Sequence, residues 1–395
     1  MAGYIMTIGG DEYLDKFYSS SKSEKNMESS KKKAKVKAKD YALKKCISEG
    51  TYSARCPKHG PSFIGTMADF LGMKNGDDIY FFTDRKIYGI GKLVDIAGID
   101  CRFRVHAKEG EGEDLIETVD ASQHPFVCIF VPAPYFFREG VDMDEVLMFS
   151  PEKIKSLRFF SNRTFMKLDD IESDAIKNII ARKNERYLKS YSKEKHFTYS
   201  DNVHKQIEKR LNDHAELYRL SVFDEIKNVQ KVRSEYFLEG AVMDLLRRGK
   251  SKNIGEWDFI GRQYPASPPK PREYVESMDL FGYRYVRGFP GAISKYIVIE
   301  LKTGTISKEH VQQTMKYVDW ISREYTKGDY SMIEAYTIGF DKEDDIDGKI
   351  KDIVERNYII ESRPVENKKW QELRILSYHT LLNELIDKER GGSDD

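Results

Sequence analysis

The chain is short of cysteine, with four in 395 residues, at positions 46, 56, 101 and 128. That is too few for a disulfide framework at this length, so the fold must rest on its own apolar core. It also lacks a net field: the 65 basic and 65 acidic side chains cancel. Any nucleic-acid contact therefore has to come from a local basic patch. No segment approaches the roughly 20 apolar residues of a membrane span. The first ten residues lack the basic start and long apolar run of a secretion signal. A cytoplasmic protein without a membrane partner is expected. Tryptophan is scarce, and its three copies (257, 320 and 370) all fall in the C-terminal half. The length itself predicts two or three domains.

The most informative stretch is Ile297-Val-Ile-Glu-Leu-Lys302. Its β-branched run reads as an interior strand, yet it carries Glu300 and Lys302. Side chains on a strand alternate faces, so Glu300 and Lys302 point one way and Leu301 points back into the core. A lone Glu-x-Lys is a weak signal in a chain rich in both residues. A carboxylate at the end of a buried run is a stronger one, because burying an unpaired charge is costly. Asp279 lies 21 residues earlier, in Ser-Met-Asp-Leu-Phe-Gly, which reads as the preceding strand of a hairpin. Converging carboxylates hold a hard cation through oxygen, and a neighbouring lysine steadies the nucleophile or the developing phosphate charge.

These residues resemble the PD-(D/E)xK nuclease superfamily, with Met278 standing where proline would be. Glu239, in the apolar helical stretch Tyr-Phe-Leu-Glu-Gly-Ala-Val, matches a glutamate that members often carry near the metal. Gln313 and Tyr317 lie four apart on one predicted helix face, beside an apolar stripe of Val311, Met315 and Val318. A Gln-x-x-x-Tyr helix after the Glu-x-Lys strand is similar to the branch that includes NucS-type enzymes. The resemblance spans about residues 235–340. It implies Mg²⁺ or Mn²⁺ held by Asp279, Glu300 and the Leu301 carbonyl, with Glu239 holding water or a second metal. Lys302, Gln313 and Tyr317 would complete the catalytic set.

Residues 60–165 read as a strand-rich barrel, with strands expected near Ile79, Ile87, Cys101 and Phe126. Gly-Asp-Asp-Ile-Tyr-Phe-Phe followed by Ile-Tyr-Gly-Ile-Gly-Lys-Leu-Val resembles PUA-like and EVE-like domains, the latter readers of modified bases flipped from a duplex. A flipped base is held by stacking and edge hydrogen bonds. The candidate contacts are Phe82, Tyr88, Tyr135, Phe136 and Phe160, with Ser161, Asn162 and Arg163 for base edges or phosphate. For each aromatic ring the barrel core is the competing role, and the lack of tryptophan departs from related readers. Cys56-Pro-Lys-His59 reads as a turn rather than half a zinc site, since the plausible additions, Cys46 and Cys101, have no near partner.

The expected order is a basic N-terminal segment (1–50), an EVE/PUA-like recognition domain (51–170), a charged helical linker (171–235) and a nuclease domain (236–390). The fold class is α/β in the α+β sense: a restriction-endonuclease-like mixed sheet flanked by helices, preceded by the small barrel. Residues 262–273, rich in proline, are expected to form no regular element and to offer Lys270 and Arg272 to phosphate. The stretches 346–356 and 369–390 read as helices. The expected function is a Mg²⁺-dependent endonuclease of restriction or defence type acting on double-stranded DNA, modified bases included. A structure- or mismatch-selective repair nuclease and an inactive nucleic-acid-binding protein are the alternatives, and RNA remains open as a substrate. Double-strand cutting would favour a homodimer.

Overall fold

The computed structural model describes residues 1–17, 24–56, 60–108, 112–117, 119–160, 164–188, 195–222, 234–247, 249, 251–268, 274–362 and 364–391. The chain is mixed α and β and forms two compact units: residues 1–58 with 73–220, and residues 59–72 with 221–395.

The first unit is built on an eight-stranded sheet. Its main path runs Thr51–Ser53, Phe126–Pro132, Lys86–Leu93, Asp78–Thr83, Gly3–Thr7, Phe165–Leu168, with Arg102–Arg104 and Val141–Asp142 as side branches. Gly3–Thr7 and Asp78–Thr83 pair in parallel, the others antiparallel. The expected strands fall where alternation and turns put them. The pairings among the described residues form a branched path rather than a closed ring.

One apolar cluster receives Ala175, Ile176, Ile179 and Ile180 from helix Asp170–Lys183. Another receives Ile207, Leu211 and Tyr218 from helix Asn202–Tyr218. The stretch expected to be a connecting arm is therefore packed into the first unit. Its apolar residues recur at helical spacing because they face this core, and the charged residues between them face water.

The expected basic segment 1–50 is not one separate piece: Gly3–Thr7 is a strand of the sheet, and the lysine-rich part is helix Glu24–Glu49. Ala34, Ala38, Ala42, Leu43 and Ile47 form its buried stripe. Gly10, at φ 115°, lies so close that a Cβ there would meet the Lys39 nitrogen at 2.7 Å. Small residues on both sides permit that approach.

The second unit has a five-stranded sheet in the order Leu373–Ser377, Ile333–Gly339, Phe289–Leu301, Ser277–Val286, Phe259–Pro265. The pairs on the Leu373 side are parallel and those on the Phe259 side antiparallel. Helix Lys308–Glu324 packs on the central strands, and so does helix Glu235–Arg247.

Three expectations change here. Phe259–Pro265 is a strand despite the prolines; it is the last strand of the sheet, where proline costs no ladder bond. Residues 356–370 are a hairpin, Arg356–Ser362 with Val365–Trp370, and Leu373–Ser377 is a strand, so only Tyr378–Gly391 of the last expected helix is helical. Helix Pro61–Leu71 belongs to the second unit and packs on Glu235–Arg247. Phe63, Ile64, Met67, Phe70 and Leu71 are all buried, a helix too apolar to lie on a surface.

Glu172, fully buried in the first unit, accepts the Lys155 and Leu157 amides through Oε1 at 2.7 and 3.2 Å. Burial, reinforced by the Asp169 charge, pushes its carboxyl up to about 8. A carboxyl raised above its unfolded value contributes fully below the ordinary carboxyl range, and that contribution is lost as pH rises through the folded value. Denaturant melts of the first unit should therefore lose stability between pH 5 and 8, by up to about 1.4 kcal/mol per pH unit for each proton. Glu172→Gln should flatten this fall, and an unchanged slope would refute the assignment.

Candidate active site

The register of one strand pair builds the site. Ser277–Val286 runs antiparallel to Phe289–Leu301 with Leu280 opposite Ile299, which sets Asp279 beside Glu300. On the other side Glu300 pairs with Thr337 of the parallel strand. Ile297, Ile299 and Leu301 are wholly buried, and alternation sends Glu300 and Lys302 to the opposite face, as expected.

Glu300 is 1% exposed. Its Oε1 accepts the Lys302 ammonium at 2.7 Å, and its Oε2 is buried with no hydrogen-bond partner among the described residues. Asp279 accepts the Leu301 amide through Oδ2 at 2.8 Å and the Gln263 amide through Oδ1 at 3.2 Å. Burial pushes Asp279 up to about 6, against the Leu301 amide that favours its charged form. Burial, and then the charge of Asp279, pushes Glu300 up to about 8. Burial alone would lower Lys302, but Glu300, Glu235 and Asp279 outweigh it and raise the ammonium above its ordinary value.

Tyr317 lies on helix Lys308–Glu324, where Gln313 donates to its hydroxyl at 3.3 Å. Burial raises its phenol to about 12, with further contributions from the Glu300 and Asp279 charges. The helix is fixed to the sheet by a 2.7 Å hydroxyl contact between Thr314 and Thr337. Asp279, Glu300 and Lys302 are thus brought together, with the Tyr317 phenol near enough to feel both acid charges and Gln313 beside it. Glu239 is close by, with both oxygens engaged: Oε2 by Arg262 and Oε1 by Gln263 at 2.6 Å.

Sequence reading missed three participants. Gln263 touches Asp279 and Glu239, Arg262 ion-pairs with Glu239, and Glu235 lies 3.8 Å from Lys302. Glu235 had a signal, since it sits one turn before Glu239. Arg262 and Gln263 had none, hidden in a stretch whose prolines argue against a strand. Gln263 sits at φ 49° within that strand, a left-handed conformation that costs energy in a non-glycine residue and gathers at functional sites.

The expected base-contact rings are divided between buried and half-buried positions. Phe160 and Phe136 are 8% and 1% exposed. Phe82 meets Phe160 edge-on at 5.3 Å, Tyr135 packs on the same cluster, and Tyr88 faces Phe197 at 6.3 Å. Phe136 and Phe160 belong to the interior, whereas Phe82, Tyr88 and Tyr135 keep part of their surface open. Ser161, Asn162, Arg163, Lys270 and Arg272 lie outside the described residues. The first unit instead holds a cavity of about 400 Å³ elsewhere, lined by Tyr13, Tyr52, Lys45, Glu49, Glu12 and His124 among others. His124 sits 3.2 Å from both Glu12 and the Ser53 hydroxyl. The Glu12 carboxyl is lowered chiefly by His124, whereas burial raises that of Glu49. No local pattern announces this cavity, because it is assembled from segments far apart in sequence.

No family model, curated protein or solved structure matches the chain.

Among the described residues no group of three or more acidic, histidine or cysteine side chains is arranged to hold a metal. The pair Asp279 and Glu300 still fits a hard divalent ion. Mg²⁺ typically takes only one or two carboxylates and keeps several waters, and the buried Glu300 Oε2 has no hydrogen-bond partner among the described residues. Magnesium should therefore raise the melting temperature of the second unit, with about 2.7 kcal/mol of added stability at a hundred times Kd. Glu300→Gln should fold and lose that response. A variant that still responds like the unaltered chain would place the ion elsewhere.

Proposed function

We propose that the chain is a Mg²⁺- or Mn²⁺-dependent endodeoxyribonuclease of the PD-(D/E)xK type, cutting DNA after recognition by an EVE/PUA-like N-terminal unit, in a restriction or defence role. One observation carries the reading: a buried carboxylate, Glu300, beside a second, Asp279, with an ammonium 2.7 Å away and one oxygen unpartnered among the described residues. A carboxylate so placed costs folding energy, and a purely structural role gives no return for it. The mixed sheet, with its Asp–Glu–Lys cluster between the central strands and a helix on them, supports the superfamily.

In this reading Asp279 and Glu300 hold the ion. When bound, it supplies an activated water and neutralises charge on the phosphoryl group. Lys302 donates from its ammonium to the incoming water or to a phosphate oxygen. Tyr317, kept protonated, is a further donor on the same side, and Gln313 fixes its hydroxyl. The intact set of acids and lysine favours a cleaving enzyme over an inactive binder.

Two features of the first unit support DNA as partner. Lys31, Lys32, Lys33, Lys35 and Lys37 are exposed on the Glu24–Glu49 helix, and none belongs to an ion pair among the described residues. This is the local patch that a neutral chain needs. The same helix, through Lys45 and Glu49, lines the cavity, whose volume falls within the range of small-ligand sites. It is the candidate pocket for a recognised base.

Cleavage assays should use matched plasmids: unmodified, methylated, and carrying hydroxymethyl- or glucosyl-cytosine. Asp279→Ala, Glu300→Ala and Lys302→Ala should each lose more than about 100-fold, the upper end of outer-partner loss, with DNA still bound. Retained cleavage by Glu300→Ala would refute the site. Changing Lys31, Lys33, Lys35 and Lys37 together to Gln should reduce the slope of log binding constant against log salt by about three to four. An unchanged slope would remove the lysine row from the interface.

A further inference from the structure

The network around Arg262 bears on how many ions the site holds. Arg262 is buried between two acids. Its Nη1 is 2.7 Å from Asp69 Oδ1 and donates to the Gly65 carbonyl at 3.0 Å. Its Nε donates to Glu239 Oε2 at 2.9 Å, and Nη2 donates to that same oxygen. The other oxygen of Glu239 accepts from Gln263 Nε2, which also donates to Asp279 Oδ1. A planar guanidinium forked onto a carboxylate is a strong, geometrically fixed pair. Truncating one partner of such a buried pair leaves an uncompensated charge. Glu239 therefore already has a cation, and no geometric need for a second.

We propose that Glu239 is a positioning residue rather than a metal ligand, and that the site takes a single divalent ion on Asp279 and Glu300. Glu239 is the middle of a chain running Asp69, Arg262, Glu239, Gln263, Asp279. The clamp fixes Glu239, Glu239 fixes the Gln263 amide, and that amide aims Asp279. Asp69 comes from helix Pro61–Leu71, so a segment far away in sequence supports the acid that holds the ion. Gln263 keeps its left-handed backbone because that conformation delivers one amide to both carboxylates. This assignment rests on the nuclease reading, since it concerns residues within the same site.

The test is Mn²⁺ binding to the full chain, read by calorimetry and by the free-ion electron paramagnetic resonance signal, with no DNA present. The unaltered chain should bind one Mn²⁺. Glu239→Gln should still bind one, weakened no more than about tenfold, whereas Glu300→Gln should lose about a hundredfold or more. Gln263→Ala, a milder change should Glu239→Gln fold poorly, should keep one ion and weaken it about tenfold, the lower end of outer-shell loss. Two ions on the unaltered chain, or Glu239→Gln falling as far as Glu300→Gln, would overturn the proposal and leave the nuclease reading standing. No Mn²⁺ on the unaltered chain would overturn both.

Discussion

The C-terminal unit depends on the register between Ser277–Val286 and Phe289–Leu301. Leu280 opposite Ile299 sets Asp279 against Glu300, and the Leu301 amide bonding to Asp279 locks the two strands at that point. A slip of one residue would turn Glu300 and Lys302 into the apolar core and Ile299 and Leu301 out of it. The buried Ile297, Ile299 and Leu301 forbid the slip, so the apolar face of the strand holds its polar face in place. The cost of that arrangement is visible in the acids themselves, both pushed toward their neutral forms by burial. On the proposed reading a cation at this point would relieve the cost and so couple the stability of the unit to its chemistry.

The surrounding residues form an ordered set of supports. Lys302 answers Glu300, Gln263 answers Asp279, and Arg262 with Glu239 answers Gln263. Helix Lys308–Glu324 brings Gln313 and Tyr317 and is pinned by Thr314 on Thr337. The first unit works differently. Its interior is aromatic and closed, with Phe81 against Phe130 and Phe136, and the cavity of Tyr13, Tyr52 and His124 lies where strand ends and the lysine-bearing helix meet. There an apolar core carries the fold and the rim carries the polar groups, a division common to small-ligand sites.

Much of the site was legible because local pattern and chemistry coincide in Ile297–Lys302 and in the Gln313–Tyr317 helix. The strands Asp78–Thr83, Lys86–Leu93 and Phe126–Pro132 were legible from alternation and turns. What was not legible depended on docking at long range. Nothing local assigns Pro61–Leu71 to the second unit, and its partners in Glu235–Arg247 lie some hundred and seventy residues on. Arg262 and Gln263 were hidden by the proline-rich stretch after them, of which Pro265 closes the outermost strand. The hairpin Arg356–Trp370 was hidden because its charges mask a period of two. The aromatics of the first unit were ambiguous from the start, since a stacking ring and a core ring are the same residue in sequence. Burial decides for the core at Phe136 and Phe160 and leaves Phe82, Tyr88 and Tyr135 half-buried.

The most direct test of the central claim is to map where a divalent ion sits on the chain. Iron(II) exchanged into the site, with ascorbate and peroxide, cleaves the polypeptide near the bound ion. The account predicts cuts clustered around Asp279 and Glu300, suppressed by excess Mg²⁺ and absent in Glu300→Gln. Cuts elsewhere, or cuts at these strands that persist in Glu300→Gln, would contradict it.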